Sequence, residues 1–272
     1  MPEGPEIRRE ADKIQRAVGG RKALEVWCAL DGAAKAAAEL SGRNVLKVKS
    51  WGKAMLTYFE GEKVIYSHNQ LYGKWYVKKA RQTAKTRRSL RLAIHTEKRS
   101  ALLYSASDIE VLETTRLHEH RFLKKLGPDL LSHNVDEDTL IHRLEDSRFA
   151  GRGLAGLLLD QAFVAGLGNY LRAEILHTSG IAPKRKPKDL NDREKALLAK
   201  EILRITRQSY KTAGITNDLN RVEILKEQGL TRRHYRFHVY QRDGKDCYRC
   251  GGEILRHDIG GRAMFWCARC QI

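Results

Sequence analysis

Residues 247–270 read CYRCGGEILRHDIGGRAMFWCARC and contain four of the five cysteines of the chain. The cysteines form two pairs, Cys247-x-x-Cys250 and Cys267-x-x-Cys270, which are separated by the 16 residues 251–266. Two residues between cysteines allow both thiolates to bind one tetrahedral ion, and two such pairs on a hairpin complete a four-cysteine shell. The spacing therefore predicts one structural Zn²⁺ with no open position for catalysis.

Two disulfides are the alternative for these cysteines, and an intracellular chain with this spacing disfavours them. The predicted hairpin has a small core of its own, so we expect it to need its metal in order to fold. The fifth cysteine, Cys28, lies between Trp27 and Ala29 on a predicted strand, and we interpret it as core packing.

The charge of the chain indicates a polyanionic partner. Its 272 residues include 51 Lys+Arg and 33 Asp+Glu, which gives a formal net charge of +18. Such an excess favours nucleic acid, with anionic lipid as the alternative. Neither a basic amphipathic helix nor a lipidation motif is found. No apolar run reaches the ~18 residues of a membrane span, and the polar N-terminus is not a signal peptide. We therefore expect a cytoplasmic protein with no membrane partner.

The first half of the chain has the periodicity of one helix followed by strands. Residues 5–18 carry apolar side chains at helical spacing and end at Gly19. From residue 23 to about 112 the period is two, with its clearest alternation at Leu90, Leu92 and Ile94, which predicts a β-sandwich. The predicted strands are Ala23–Ala29, Arg43–Lys49, Lys53–Phe59, Lys63–Ser67, Lys74–Lys78, Ser89–His95 and Ala101–Ser105.

Helical patterns dominate after Gly127-Pro128, a turn at which we place the domain junction. Helices are predicted at Thr139–Asp146, Leu154–Phe163 and Tyr170–Ser179, and Asn191 or Asp192 is expected to cap a longer one. The second and third helices flank the glycine turn at 165–169. A glycine turn before a helix lets backbone amides approach a phosphate, although most such turns are purely structural.

The N-terminus, Met1-Pro2-Glu3-Gly4-Pro5-Glu6, offers an unusual nucleophile. We expect Met1 to be removed, because small residues after it usually permit this. Pro2 then carries a free secondary amine, whose pKa near ~8 leaves part of it uncharged at neutral pH. An uncharged amine attacks an electrophilic sugar carbon and forms an imine. An ordinary processed terminus is the alternative.

Several separated motifs match one family in order. The matching stretches are 2–6 (PEGPE), 52–54 (GKA), 67–73 (SHNQLYG), 104–108 (YSASD), 126–129 (LGPD), 158–161 (LLDQ), 165–171 (AGLGNYL) and the cysteine hairpin with Gly261-Arg262. The chain thus resembles, essentially end to end, the bacterial formamidopyrimidine/endonuclease VIII family of DNA glycosylases. Trp51 and Lys125 depart from the family, which usually has arginine at both positions.

The resemblance implies a multidomain α+β protein. It has an N-terminal helix plus β-sandwich and a C-terminal helix-two-turn-helix bundle with a four-cysteine zinc-finger hairpin. The expected divisions are a catalytic β-sandwich domain at 1–125, a hinge at 126–137, a helix-two-turn-helix DNA-binding domain at 138–236 and a zinc finger at 237–272. The implied substrate is double-stranded DNA that contains oxidised bases or abasic sites, bound by a monomer that associates with the nucleoid when it acts.

The resemblance also implies residue roles. Pro2 is expected to attack C1′ of the deoxyribose, Glu3 to donate a proton, and Lys53 to serve strand elimination. Glu6 is also expected to face the sugar. Phosphate contacts are expected from Lys53, Lys125, Asn169 and Arg262, the last of which also assists the second elimination. Gln70, Leu71 and Tyr72 are expected to fill the hole that an extruded base leaves. Each role has a plainer alternative: a solvated cation for Lys53, a helix N-cap for Asn169, a hairpin arginine for Arg262 and a buried strand edge for the triplet.

A contiguous Gln-Leu-Tyr run implies oxidised pyrimidines, since the oxidised-purine enzymes carry their insertion residues on separate loops. Two alternatives stay open at this point. The first is oxidised-purine specificity within the same family. The second is a DNA-binding protein that has lost catalysis, although simple binding requires no terminal proline.

Overall fold

The computed structural model describes residues 2–272, so Met1 and its expected removal lie outside the described residues. The chain divides into two compact units, one ending at Lys125 and one comprising Leu126–Ile272. No helix within residues 2–272 is long and apolar enough to cross a membrane.

The first unit is a helix plus two antiparallel sheets. Its helices are α1 (Gly4–Val18) and α2 (Asp31–Ala38), with short 3-10 helices at Thr114–Glu119 and Leu123–Lys125. Its strands are β1 (Arg21–Lys22), β2 (Glu25–Cys28), β3 (Asn44–Trp51), β4 (Ala54–Phe59), β5 (Lys63–His68), β6 (Lys74–Lys79), β7 (Leu90–His95), β8 (Arg99–Tyr104) and β9 (Asp108–Glu113). One sheet has the order β1-β3-β4-β5-β9 and the other β2-β7-β8-β6.

The core of this unit lies between the two sheets and α1. Apolar residues of both sheets, among them Met55, Ile65 and Leu103, join Ile14 of α1 in one buried cluster. The sandwich is as predicted; β2 alternates buried and exposed residues, whereas the central strands β4, β5 and β8 are buried on both faces. Cys28 is buried in the same cluster, as expected.

Three local features of the first unit differ from the sequence expectation. The helix α2 was not predicted, although its alanine-rich sequence DGAAKAAA has high helix propensity. The strands β1 and β9 were also missed. Finally, Leu90, Leu92 and Ile94 do not share one face. The β7–β8 register shifts between Leu90 and Leu92, so Leu90 packs with a separate cluster that contains Tyr104 while the other two enter the main core.

The second unit is helical with one hairpin. Its helices are α3 (Glu137–Glu145), α4 (Ser147–Ala150), α5 (Leu154–Leu157), α6 (Asn169–Thr178), α7 (Asp192–Lys211), α8 (Leu219–Glu227) and α9 (Arg232–Tyr235), with a 3-10 turn at Pro187–Asp189. Its strands are β10 (Ile254–Ile259) and β11 (Arg262–Cys267). The α5 helix ends at Leu157, so the prediction of a helix through Phe163 was wrong.

The expected cap of the long helix is present. The Asn191 side chain accepts a hydrogen bond from the Glu194 backbone N–H at 3.0 Å, and the Glu194 carboxylate accepts from the Asn191 N–H at 2.9 Å. This reciprocal pair is a capping box. The hairpin shares its core with the helices, because Ile254, Met264 and Phe265 belong to the same buried cluster as the apolar face of α7.

Candidate active site and nucleic-acid interface

The N-terminal residues lead directly into α1. Pro2 precedes Glu3, which is the N-cap of the helix and is 3% exposed. The Glu3 backbone N–H donates to Glu6 Oε2 at 3.1 Å, so the Glu6 carboxylate caps the helix start. A proline at the second helical position, Pro5, costs no hydrogen bond there. The cap therefore holds the chain in one path immediately after Pro2.

Lys53 lies in the two-residue turn between β3 and β4. The turn requires a left-handed conformation at Gly52, whose φ is +56°. Lys53 is only 8% exposed, whereas a lysine is rarely buried without a specific environment. The alternative of a solvated surface cation is therefore wrong, and Lys53 falls just before the first residue of β4 rather than within the strand.

Lys53 and the Gln70–Tyr72 turn lie at the same end of the first sheet, where β4 begins and β5 ends. Ala54, which follows Lys53, pairs with His68 at the end of β5, and His68 also pairs with Asp108 at the start of β9. Burial lowers the pKa of the His68 imidazole; the nearby Asp108 carboxylate opposes this shift, and the Lys53 ammonium adds to it.

Residues 70–72 form an exposed turn between β5 and β6. The side chains of Leu71 and Tyr72 are 59% and 66% exposed, so the alternative of a buried strand edge is wrong. The base of the turn is fixed: the Gln70 N–H donates to His68 Nδ1 at 3.0 Å, and the Ser107 hydroxyl donates to Gln70 Oε1 at 2.8 Å. Two apolar side chains thus project from an anchored loop.

In the second unit, Asn169 begins α6 but does not cap it, since the N-cap is Gly168. The Asn169 Nδ2 donates to the Ala263 carbonyl at 2.9 Å, and its Oδ1 accepts from the Arg172 guanidinium at 2.6 Å. The same guanidinium donates to Ala263 at 3.2 Å and to the Ala155 carbonyl at 3.0 Å. The N-cap alternative is wrong, and the Asn169 amide carries a second N–H beside the one that Ala263 accepts.

Arg262 is the first residue of β11. The next residue, Ala263, is the one whose carbonyl accepts the hydrogen bond from Asn169. Gly260 and Gly261, with φ of +60° and +72°, form the two-residue turn before it. The Arg262 side chain is exposed, as a phosphate contact requires. In the first unit Lys125 is also exposed, at the end of its 3-10 helix.

The four cysteines of the hairpin come together. All four Sγ atoms lie within 4.8 Å of one another, with Cys247–Cys270 at 3.8 Å and Cys250–Cys267 at 3.5 Å. A tetrahedral ion with metal–sulfur bonds of ~2.3 Å separates its ligands by about 3.8 Å, so the set fits one ion. The cysteines are free of disulfides. The Gly252 N–H donates to Cys250 Sγ at 3.4 Å, a contact that stabilises a thiolate. The residues present can therefore hold a metal ion.

Comparison with known proteins agrees with this geometry. The family model described as the formamidopyrimidine-DNA glycosylase N-terminal domain matches residues 1–107, and the one described as the formamidopyrimidine-DNA glycosylase H2TH domain matches residues 126–220. Proteins named Endonuclease 8 from Pectobacterium carotovorum and Escherichia coli O7:K1 are 44% and 45% identical over 271 residues, with 100% of each chain covered.

The chain belongs to the formamidopyrimidine-DNA glycosylase/endonuclease VIII family. It is accordingly a base-excision-repair DNA glycosylase with AP lyase activity, and both the recognition of the family and the predicted fold class are confirmed.

Solved structures show the same fold. A complex of Lactococcus lactis Fpg with DNA that contains an abasic site has a TM-score of 0.81 at 21% identity, with 99% of each chain covered. A complex of MutM with DNA that contains carbocyclic 8-oxo-G has a TM-score of 0.81 at 21% identity, with 100% of each chain covered.

Sequence reasoning missed the residues that hold these groups in place. Asn69 and His68 lie inside a family motif, but the motif gives them no role. Arg172 and Glu174 are 0% exposed in α6, and two charged residues inside the apolar run YLRAEIL were the available signal that these side chains have buried partners.

Proposed function

We propose that this protein removes oxidised pyrimidines from double-stranded DNA and cleaves the strand through an imine between Pro2 and the deoxyribose. One observation supports a catalytic protein over a binding protein most strongly: Glu3 and Lys53 are both buried in the unit that contains Pro2. Burying ionisable side chains costs free energy, and simple phosphate binding is served by exposed cations.

The proposed reaction begins with the uncharged Pro2 amine. Its nitrogen attacks C1′ as the bond from C1′ to the damaged base breaks, and the departing base takes up the proton that the amine loses. Glu3 protonates the sugar ring oxygen and the ring opens, which leaves an iminium ion. Because the amine is secondary, the iminium is permanently charged and withdraws electrons from C2′.

Strand cleavage then follows in two eliminations. Loss of a C2′ proton expels the 3′ phosphate, and a second elimination expels the 5′ phosphate. Lys53 is proposed to serve the first step and Arg262 to stabilise the phosphate that leaves in the second. Lys125 and Asn169 are proposed to bind backbone phosphates, with Asn169 contributing the amide N–H that Ala263 does not use.

The Gln70–Tyr72 turn is proposed to fill the space left by the extruded base. Exposed apolar side chains at the tip of an anchored turn suit insertion between bases. The relatives named Endonuclease 8 and the contiguity of the triplet support pyrimidine lesions over oxidised purines. The metal in the cysteine cluster is proposed to be Zn²⁺, which stabilises the hairpin when bound.

Borohydride reduction during incubation with damaged DNA tests the proposal, because it converts the imine to a stable cross-link. Duplexes with thymine glycol and with 8-oxoguanine are compared, and the cross-linked peptide is mapped. We expect the adduct on Pro2, a preference for thymine glycol, and no trapping by Pro2→Gly or by protein that retains Met1. A lysine adduct, or undiminished cleavage by Pro2→Gly, contradicts the mechanism. Tight, salt-sensitive DNA binding by the parent without any trapping identifies a protein that only binds DNA.

A further inference from the structure

One partly buried contact joins the helix that follows Pro2 to the turn that carries Leu71 and Tyr72. Asn69 Nδ2 donates to Glu10 Oε2 at 2.7 Å. Glu10 lies on α1, less than two turns after Glu6, and Asn69 is 2% exposed at the position immediately before the turn. Three other side chains contact this turn: His68 at the end of β5, Ser107 in the loop before β9, and Arg88, whose guanidinium donates to the Tyr72 carbonyl.

Asn69 also closes the turn through its backbone. The Gly73 N–H donates to the Asn69 carbonyl at 2.7 Å, and a Cβ at Gly73 would lie 2.5 Å from that oxygen. The chain therefore leaves Asn69 and returns beside it within four residues. A displacement of Asn69 moves both ends of the turn together, so the Glu10 contact acts on both ends of the turn.

We propose that Glu10 is a positioning residue, which acts through Asn69 to hold the Gln70–Tyr72 turn in register with the helix that presents Pro2 during base extrusion. This inference rests on the proposed function. It assigns Glu10 no contact with DNA; its effect is to keep the inserting side chains and the nucleophile in one fixed relation.

The charge of Glu10 adds a dependence on pH. Burial raises the pKa of the Glu10 carboxyl to about 7; the hydrogen bond from Asn69 opposes the shift, the neighbouring Glu6 adds to it, and Lys13 and Lys74 also oppose it. A hydrogen bond to a carboxylate is stronger than one to a neutral carboxyl. The tether is therefore stronger above pH 7 than below it.

Two substrates separate positioning from general damage to the protein. Excision of thymine glycol requires extrusion of a base and filling of its place, whereas a preformed abasic site has no base to extrude. The ratio of the single-turnover rates of excision and of abasic-site cleavage therefore reports on the turn and cancels losses of folded protein or of DNA affinity.

We expect Glu10→Ala to lower this ratio about tenfold, and Asn69→Ala to lower it to the same degree. The double variant should be no worse than either single one, because both break one interaction. Glu10→Gln keeps an acceptor for Asn69 and should restore most of the ratio. Asp12→Ala is the matched control: it removes a carboxylate from the same helix, one that pairs with Arg8 at 3.1 Å, and should leave the ratio unchanged.

The pH profile gives a second readout. The ratio of the parent should rise about threefold from pH 6 to pH 8, while that of Glu10→Gln stays flat. A ratio unchanged by Glu10→Ala, equal losses on both substrates, or additive losses in the double variant overturn the proposal. Borohydride trapping of the parent on abasic DNA is run beside these assays. If the parent does not trap, the proposed function has failed; if it traps and the ratios do not move, only the role of Glu10 has failed.

Discussion

Replacing Glu174 tests whether its buried carboxylate anchors the segment before the cysteine hairpin to α6. It is 0% exposed and accepts four hydrogen bonds. Its Oε2 accepts from the Thr216 hydroxyl at 2.5 Å and from the His238 N–H at 2.7 Å. Its Oε1 accepts from the N–H groups of Val239 and Tyr240 at 2.9 and 3.0 Å. One side chain of α6 thus fixes the segment that leads into the cysteine hairpin.

Glu174→Gln changes one oxygen to an amide and removes the charge. The remaining oxygen still accepts from two N–H groups, and the Thr216 hydroxyl rotates to accept from the new amide. The His238 N–H is then buried without a partner, which costs about 1–3 kcal/mol, and the two retained bonds lose their charge assistance at about 0.5–1 kcal/mol each. Relief from burying a charge offsets part of this cost, but a fully hydrogen-bonded carboxylate has little of that penalty left. We expect a net loss of about 3 kcal/mol.

Urea unfolding followed by helical circular dichroism measures this loss for Glu174→Gln. Hydrogen exchange provides a local measure, because 3 kcal/mol corresponds to roughly 150-fold faster exchange in the peptide that contains Val239 and Tyr240. Glu223→Gln is the control: this carboxylate on α8 is 66% exposed and pairs with Lys226 at 2.8 Å, so the substitution should cost less than about 0.5 kcal/mol. If Glu174→Gln is as stable as the control variant, the four bonds do not anchor the segment and the reasoning is refuted.

Four further outcomes are expected. Leu71→Ala and Tyr72→Ala should change unfolding free energies by less than about 0.5 kcal/mol because both side chains are exposed, yet lower thymine glycol excision at least tenfold in single-turnover assays; a matching loss of stability would argue against an insertion role. Glu10→Gln should be more stable than the parent at pH 8 by ~1–2 kcal/mol and equal to it near pH 4.5, as measured by urea midpoints. Because the pKa of Glu10 is raised in the folded state, ionising this carboxyl lowers the free energy of unfolding. The loss is absent below the pKa of the unfolded chain and grows as the pH rises towards 7. Arg262→Ala should reduce the slope of log affinity against log salt by about one, with metal content unchanged; an unaltered slope would exclude its phosphate contact. Cys267→Ser should lower the metal content measured by mass spectrometry and the thermal midpoint together, whereas a midpoint insensitive to metal loss would mean that the shared core suffices for the hairpin.

Local sequence patterns predicted those helices and strands that have one buried face and a capping or turn residue at an end. The long helix is an example, because Asn191 and Glu194 are only three residues apart and their capping bonds depend on nothing else. Leu90 shows where this fails. Its face is set by a register shift against β8, which is a property of two strands and is absent from the alternation of one.

The candidate site divides in the same way. The proposed nucleophile Pro2, the cysteine spacing and the Gln70–Tyr72 triplet are contiguous or regularly spaced, so sequence motifs were enough to single them out. The partners of Asn69 and Asn169 were not predictable, because Glu10 is 59 residues away from the first and Ala263 is 94 residues away from the second. Only the folded chain brings these pairs together.

These partly buried polar contacts have a common physical reason. Side chains that are proposed to enter DNA, such as Leu71 and Tyr72, are exposed and therefore are not fixed by packing in the free protein. Their positions are instead fixed by hydrogen bonds at the base of the loop or strand that carries them, where partial shielding from water strengthens these bonds. Asn69 does this beneath the turn, and Asn169 does it beneath the finger strand that carries Arg262. An apolar residue at position 69 or 169 would be buried at a lower cost in free energy. It would, however, make no hydrogen bond to hold the turn or the strand, so the asparagines fix the position of these segments at some cost in stability.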